Sequence, residues 1–134
     1  MRKINLPAYF KRYAWACEQV DDQIWRSTFA TEHEVEFDLY VMVGEQWVHF
    51  AVSPFLPRLQ PAQQVQLDNR LLRFNQEMRG VHFAVDEDGD VNLLAELSRH
   101  GFSYAQFELT VNALVAYTEQ LAHTLQRRAV TTTA

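Results

Sequence analysis

The sequence contains few of the residues on which the most recognisable functional motifs depend. Of its 134 residues, one is cysteine, four are glycine and four are proline. The single cysteine, Cys17, excludes an internal disulfide and a multi-cysteine zinc site. The four glycines, at positions 44, 80, 89 and 101, coincide with predicted turns or helix ends, so none remains for a phosphate-binding loop. The sequence contains neither a nucleophile-elbow serine nor a His-Glu-x-x-His motif.

Long apolar runs and an excess of positive charge are also missing. No stretch of 18 apolar residues occurs, so the sequence predicts no membrane-spanning helix. Lys11 and Arg12 interrupt any apolar segment of a signal peptide, and we expect a cytoplasmic protein. The 17 Asp and Glu residues outnumber the 12 Lys and Arg residues and give a net charge of −5. This balance argues against binding to the phosphate backbone of a nucleic acid.

What is present is the composition of an ordinary globular protein, with 48% hydrophobic and 22% charged residues. A chain of this length removes roughly 65–70% of its surface from water when it folds, which is enough for a core without disulfides. We expect a single α+β domain over residues 1–128 and a flexible tail over residues 129–134.

Hydrophobic periodicity predicts the element order α-β-β-β-α-β-β-α. The first helix, over residues 7–20, has an apolar stripe of Phe10, Tyr13, Cys17 and Val20. Strands follow over 24–31, 35–43 and 46–53, then a helix over 61–80, and then strands over 81–85 and 91–97. Ser103 begins the last helix with a capping box. Because the strands are joined as hairpins, we expect an antiparallel sheet packed against helices.

The first hairpin predicts one apolar face and one face with candidate binding residues. The loop Gly44-Glu45 suits a type II′ turn and pairs Val41 with Val48 on the apolar face. The opposite face carries aromatic, methionine and histidine side chains: Tyr40, Met42, Trp47 and His49. Trp25 or Ile24 extends this group. We predict that this face binds a partner protein, because exposed aromatic patches usually mark contact sites. The alternative is that the second helix or a second copy of the chain covers it permanently.

The second hairpin is expected to turn at Glu87-Asp88-Gly89, with glycine in the left-handed conformation. This register pairs Val85 with Val91 and sets Asp86 against Asp90. Four carboxylates in five residues are typical of an acidic, soluble turn, and the alternative is a weak cation site.

The helix over 61–80 has two apolar edges. Leu67 and Leu71 lie on one side, whereas Val65 and Leu72 lie nearly opposite. We predict that Val65 and Leu72 form a dimer interface. Arg70 and Arg73 on the same helix indicate a solvated face or, alternatively, part of an interface.

The remaining reactive side chains favour structural roles. Cys17 lies on an apolar stripe, which is typical of a buried thiol. The five histidines are scattered, and although His49 and His82 can meet within the sheet, hydrogen-bonded histidines explain them more simply than metal ligation does. We therefore expect no catalytic residue, no cofactor and no metal.

Two segments and the last helix resemble the YbjN-like proteins. The segments are Leu-Asp-Asn-Arg-Leu-Leu-Arg-Phe-Asn at 67–75 and the Gly-to-Leu stretch at 80–93, with its Asp-Gly-x-Val-x-Leu hairpin. The resemblance covers roughly residues 22–126. It implies the fold of the small chaperones of type III secretion, which are commonly acidic dimers that hold an extended segment of a partner on apolar patches. It implies no catalytic site, and it favours helix 61–80 as the dimer element.

These observations predict a non-enzymatic chaperone-like or regulatory domain that forms a homodimer and holds a segment of a partner protein. The alternative is a small-ligand-binding or enzymatic domain with a pocket between sheet and helices. In that case Tyr40, His49 and His82 would supply the polar groups.

Overall fold

The backbone forms three helices and six strands in the part of the chain that the structure describes. This structure, a computed structural model, describes residues 3–57 and 59–131, with side chains as far as Leu125. In chain order the elements are α1 (Leu6–Tyr13), β1 (Glu18–Asp21), β2 (Ile24–Ala30), β3 (Glu36–Val43), β4 (Trp47–Leu56), α2 (Pro61–Glu77), β5 (His82–Val85), β6 (Val91–Ser98) and α3 (Tyr104–Thr131).

All six strands belong to one antiparallel sheet in the order β1-β2-β3-β4-β6-β5. The predicted α+β class is therefore confirmed, and the two hairpins are joined because β4 pairs with β6. The last helix begins at Tyr104, and the Ser103 N–H donates to Gln106 Oε1 at 3.1 Å, which is half of the predicted capping box. Helix α3 continues to Thr131, and residues 132–134 lie outside the described residues. The division of the chain at residue 128 stays a prediction.

The first helix is shorter than predicted, and its second half is a strand. Ala14 adopts a left-handed conformation with φ 68°, and the N–H groups of Ala14 and Trp15 donate back to the carbonyls of Lys11 and Phe10. This is the hydrogen-bond pattern of a Schellman cap, with alanine where glycine is usual. The reversal lets Trp15 stack on Phe29 with ring centroids 5.3 Å apart. Residues 18–21 then form β1, so the helical stripe through Cys17 and Val20 was a wrong prediction.

The first hairpin has the predicted faces but a register shifted by two residues. Val41 pairs with Phe50 and Val43 with Val48, whereas the predicted loop would have paired Val41 with Val48. The loop is Glu45-Gln46, because the Gly44 N–H donates to the Trp47 carbonyl at 2.8 Å. Gly44 does not take the positive φ that a type II′ turn requires. Because the shift is an even number, every side chain stays on its predicted face.

Strand β4 also runs further than predicted. It continues through Pro54 to Leu56, after an irregularity in its pairing with β6 between Val52 and Leu56. The predicted end of this strand at residue 53 was therefore three residues too early. Phe55 and Leu56 are buried, and Phe55 lies against Phe83 with ring centroids 5.0 Å apart.

The second hairpin has the predicted register. Val85 pairs with Val91 and Phe83 with Leu93, and Gly89 has φ 86°. The N–H of Gly89 donates to the carbonyl of Asp86 at 3.0 Å and closes the turn.

The helices α1 and α3 pack on one face of the sheet, which we call the inner face. Its strand residues are buried and apolar: Phe37, Leu39, Val41, Val48, Phe50, Val52, Leu93 and Ala95. Phe107 of α3 is fully buried and lies 5.1 Å from the ring centroid of Phe10 and 5.9 Å from that of Phe50. Helix α2 lies along the β5 edge, with Leu67 and Leu71 in the same core.

Candidate functional site

The four predicted partner-binding residues lie together on the opposite face of the sheet, which we call the outer face. Met42 pairs with His49 and Tyr40 pairs with Ala51, while Trp47 lies two residues before His49 on β4. Trp47 is 50% exposed and Met42 is 38% exposed. The predicted face is therefore present, with an aromatic and methionine surface that the helices of the inner face do not bury.

One of the two suggested extensions of this surface is present. Ile24 pairs with Met42 and shares the outer face. Trp25 pairs with Val41, which places it on the inner face, where it packs against the core. On the other side, Leu94 pairs with Ala51 and extends the surface across β6. Sequence reasoning missed Leu94 because Leu94 is more than 40 positions along the chain from its partner Ala51.

The junction beside Trp47 is held by two hydrogen bonds between distant segments, one from the backbone and one from the side chain of Arg99. The Arg99 N–H donates to the Gln46 carbonyl at 2.8 Å, and Arg99 Nη1 donates to the Gly44 carbonyl at 2.9 Å. These bonds tie the β3–β4 turn to the end of β6 and fix the position of Trp47. A shallow cleft of about 310 Å³ lies here, lined by Glu45, Gln46, Trp47, Ser98 and His100.

Histidines on the outer face are near a carboxylate. His49 pairs with Glu96 across β4 and β6, and His82 Nε2 lies 3.8 Å from Glu96 Oε1. Among the residues that the structure describes, no three His, Cys, Asp or Glu side chains are arranged to hold a metal ion. The alternative prediction of a pocket between sheet and helices was wrong for its polar groups, because Tyr40, His49 and His82 lie on the outer face.

A second apolar surface lies on α2. Val65 is 71% exposed and Leu72 is 69% exposed, so the second apolar edge of this helix is uncovered. Next to it, a groove of about 230 Å³ runs between α2 and β5. Leu72, Phe83 and Val85 are among its lining residues. Val65 and Leu72 are therefore both exposed on α2, and Leu72 also lines the groove.

Asn75 of α2 closes the free edge of β5. Its Nδ2 donates to the Phe83 carbonyl at 3.1 Å, and its Oδ1 accepts from the Phe83 N–H at 2.6 Å. One side-chain amide thereby takes the place of a neighbouring strand at this residue. The sequence pattern gave no signal for this role, since an asparagine on a polar helix face is unremarkable.

The acidic turn satisfies its central carboxylate internally. Asp86 Oδ1 accepts from the N–H groups of Asp88 and Asp90 at 3.0 Å each, and Asp86 Oδ2 accepts from Asn92 Nδ2 at 3.1 Å. The bond from the Asn92 side chain and then those from the backbone lower the pKa of Asp86. The donors around this carboxylate occupy the positions that a cation would need, which favours the acidic-turn interpretation.

Three further side chains, those of Cys17, His33 and His123, are of types that can react or bind a metal. Burial raises the pKa of the half-buried Cys17 thiol, which suits a structural rather than a nucleophilic role. His33 and His123 stack with ring centroids 4.0 Å apart, a contact between the β2–β3 turn and α3 that the sequence did not indicate. Within the described ranges, no helix is sufficiently long and apolar to cross a membrane.

One protein family matches almost the whole chain. The model of the YbjN family, described as "Putative bacterial sensory transduction regulator", matches residues 5–127. No curated protein matches the sequence. The family match confirms the resemblance that the 67–75 and 80–93 segments suggested.

Several solved structures have a similar fold, and two of them are described as structures of type III secretion proteins. A chain in the ExoU–SpcU heterodimeric complex from the Pseudomonas aeruginosa type III secretion system has a TM-score of 0.60 and 15% identity, covering 88% of this chain and 95% of that one. The structure of the Yersinia pestis type III secretion chaperone SycH with a fragment of YscM2 has a TM-score of 0.55 and 15% identity, and the match covers 87% of this chain and 95% of that one. A chain of the ExsC–ExsE complex has a TM-score of 0.56 and 16% identity, and the match covers 90% of each chain.

The TM-scores establish the fold alone, since the sequence identities are only 15–16%, and the family model establishes the family. The agreement extends over the six-stranded sheet and the helices on its inner face and at its edge. The chain therefore belongs to the YbjN family and has the antiparallel α+β fold of the type III secretion chaperones.

Proposed function

We propose that this protein is a non-enzymatic, chaperone-like module that works as a homodimer and holds a segment of a partner protein on its outer face. The observation that carries the proposal is the exposure of Trp47 and Met42 on a sheet face that the helices leave uncovered. Exposing half of a tryptophan side chain to water costs free energy, and a binding partner that covers the ring removes this cost. Aromatic side chains of this kind are the residues that supply most of the binding energy in protein interfaces.

The similar structures support a protein partner. All three are described as complexes of two proteins, and one of them is described as a chaperone with a fragment of its partner. A surface built from strands and fixed by the Arg99 contacts to the turn is also preorganised, so little ordering is needed when a segment binds.

Helix α2 supports the homodimer. Val65 and Leu72 are seven residues apart, which is about two helical turns and about 10 Å along one face. When two copies of α2 cross antiparallel between Asp68 and Asn69, Val65 of one copy contacts Leu72 of the other, and the contact repeats by symmetry. The groove toward Val85 would add apolar area to the same interface.

The chemistry of the described residues supports a non-enzymatic, cytoplasmic role. The Cys17 thiol has a raised pKa, and the histidines of the outer face adjoin a single carboxylate rather than a nucleophile. A free cysteine is typical of a reducing compartment.

Crosslinking copurification from the native host tests the binding face. Trp47→Ala removes the most exposed aromatic group of the face, and Leu109→Ala serves as the control because Leu109 is 69% exposed on α3. We expect the partner to crosslink to the wild type and to Leu109→Ala but not to Trp47→Ala. Equal recovery with all three proteins would contradict the proposal. We expect Trp47→Ala to cost about 1 kcal/mol of stability or less, since half of the side chain is already in water.

Light scattering after size exclusion tests the dimer. We expect a mass of twice 15.7 kDa at micromolar concentration for the wild type. Leu72→Glu places like charges in the symmetric contact and should give a monomer. Leu109→Glu, equally exposed in the wild type, should remain dimeric. A monomeric wild type, or a dimeric Leu72→Glu variant, would refute this interface.

A further inference from the structure

The charges of the sheet are strongly unequal. The six strands carry five carboxylates, Glu18, Asp21, Glu36, Asp38 and Glu96. They carry one guanidinium, that of Arg26, and no lysine. Arg26 is already paired with Glu18 on the neighbouring strand. The cation of the sheet is therefore neutralised locally, whereas most of the carboxylates are not.

Two of these carboxylates adjoin the apolar centre of the outer face. Glu96 is in one row of paired residues with Met42 and His49, and Asp38 lies two residues before Tyr40 on β3. Strands are about 4.8 Å apart, so the backbones of Met42 and Glu96 are separated by about 10 Å. Asp38 accepts a hydrogen bond from the Thr28 hydroxyl at 2.7 Å, which leaves its negative charge uncompensated.

Glu96 is the carboxylate most affected when the face is covered. Its side chain is 35% exposed, and its near cationic neighbour is His82 at 3.8 Å, which is charged only when protonated. An entirely apolar occupant would take Glu96 out of water without a partner, at a considerable free-energy cost. An acidic occupant would add repulsion to that cost.

Lysine and arginine side chains fit both parts of this surface. Their apolar stems can cover Tyr40 and the small Ala51 beside it, and their charged ends can reach Glu96. A cation near the exposed ring of Trp47 gains a further attraction, and Glu45 lines the same cleft. A second copy of this chain does not fit here, because a two-fold contact would place the carboxylates of this face against an identical face that carries the same carboxylates.

We propose that the partner segment held on the outer face is basic and apolar in composition, with Lys or Arg side chains that pair with Glu96 and Asp38 between apolar anchors. The inference rests on the proposed function, since it names the chemistry of the occupant of that same face. It also predicts that affinity falls as salt rises, because these ion pairs are partly exposed.

Selection from a random dodecapeptide display library on the purified protein tests this inference. We expect enriched peptides to contain more Lys and Arg than the starting library, together with Leu, Phe or Trp. Binding of the enriched synthetic peptides should be lost in Trp47→Ala and weakened about three- to tenfold in Glu96→Gln, an effect typical of a partly exposed charge pair. The control is Glu87→Gln, which makes the same charge change on the exposed turn of the second hairpin and should leave affinity unchanged.

The failures of the two proposals are distinguishable. Enriched peptides that need Trp47 but are neutral or acidic would overturn the basic composition and keep the binding face. If Glu96→Gln and Glu87→Gln lower the affinity for basic peptides equally, the proposed pairing with Glu96 would also be overturned. Attraction to the net negative charge of the protein would then explain the binding. Peptides that bind Trp47→Ala as tightly as the wild type, or a selection without enrichment, would overturn the binding face itself.

Discussion

The contact between Asn75 and the edge of β5 makes a quantitative prediction. Asn75→Ala removes two hydrogen bonds to the Phe83 backbone, at 2.6 and 3.1 Å. Each is worth about 1 kcal/mol net, and alanine recovers about 0.5 kcal/mol through its better helix propensity. The expected loss is therefore about 1.5 kcal/mol. An unfolding entropy of about 2.1 cal/mol/K per residue converts this loss to a fall in Tm of about 5 °C.

Thermal unfolding followed by circular dichroism measures this effect, and the next residue supplies the control. Gln76→Ala makes a similar change at an exposed position of α2 and should leave the Tm unchanged or slightly raised. Asn75→Asp keeps an acceptor for the Phe83 N–H but turns an acceptor toward the Phe83 carbonyl, so it should destabilise at least as much as alanine. If Asn75→Ala and Gln76→Ala melt within 1 °C of each other, the amide does not hold this edge and the reasoning is refuted.

Three further predictions concern the ends of elements and the core. Ala14→Gly should raise stability by about 0.5–1 kcal/mol in urea titrations, because glycine adopts φ 68° without strain, and a loss would contradict the assigned cap. Asp86→Asn should destabilise at pH 7. Because the pKa of Asp86 is lowered in the folded state, its contribution to the free energy of unfolding is complete above the unfolded pKa of about 3.9 and disappears as the pH falls through the folded pKa. The stabilities of the wild type and Asp86→Asn should therefore converge in acid. A difference in stability that does not change with pH would count against these hydrogen bonds in the turn. Phe107→Ala should cost about 3–5 kcal/mol, against little change for the exposed Leu109→Ala; similar melting of both would exclude Phe107 from the core.

The comparison of the two hairpins shows what local patterns can and cannot fix. In the second hairpin, Gly89 takes the left-handed conformation that its turn requires, so the loop and the Val85–Val91 pair were predicted together. In the first hairpin, Gly44 was assigned the same kind of role, but its φ is not positive. Glycine suits this position for a different reason, since a Cβ would lie 3.2 Å from the Trp47 carbonyl oxygen, which is closer than an ordinary contact. The glycine alone could not distinguish these two causes.

The first helix shows how tertiary contacts override periodicity. Residues 14–17 contain no proline or glycine, so the apolar spacing from Phe10 to Val20 predicted a continuous helix. The chain reverses at Ala14 because the stacking of Trp15 on Phe29 and the bond from the Ser27 hydroxyl to the Ala16 carbonyl at 2.6 Å stabilise the extended course. Both partners belong to β2, more than ten residues along the chain, where a local pattern has no information.

Local patterns in the sequence were sufficient to predict the α+β class, the faces of the strands, the register of the second hairpin and the exposed positions of Trp47, Val65 and Leu72. These properties depend on side-chain alternation and turn chemistry, which act over a few neighbouring residues. The folded chain was needed to show that β4 pairs with β6, which brings Glu96 beside His49, and that Asn75 occupies the β5 edge. Those contacts join segments that are distant in the sequence. They form because the backbone N–H and C=O groups of a strand need hydrogen-bond partners, which another strand or a side chain supplies only once the chain has folded.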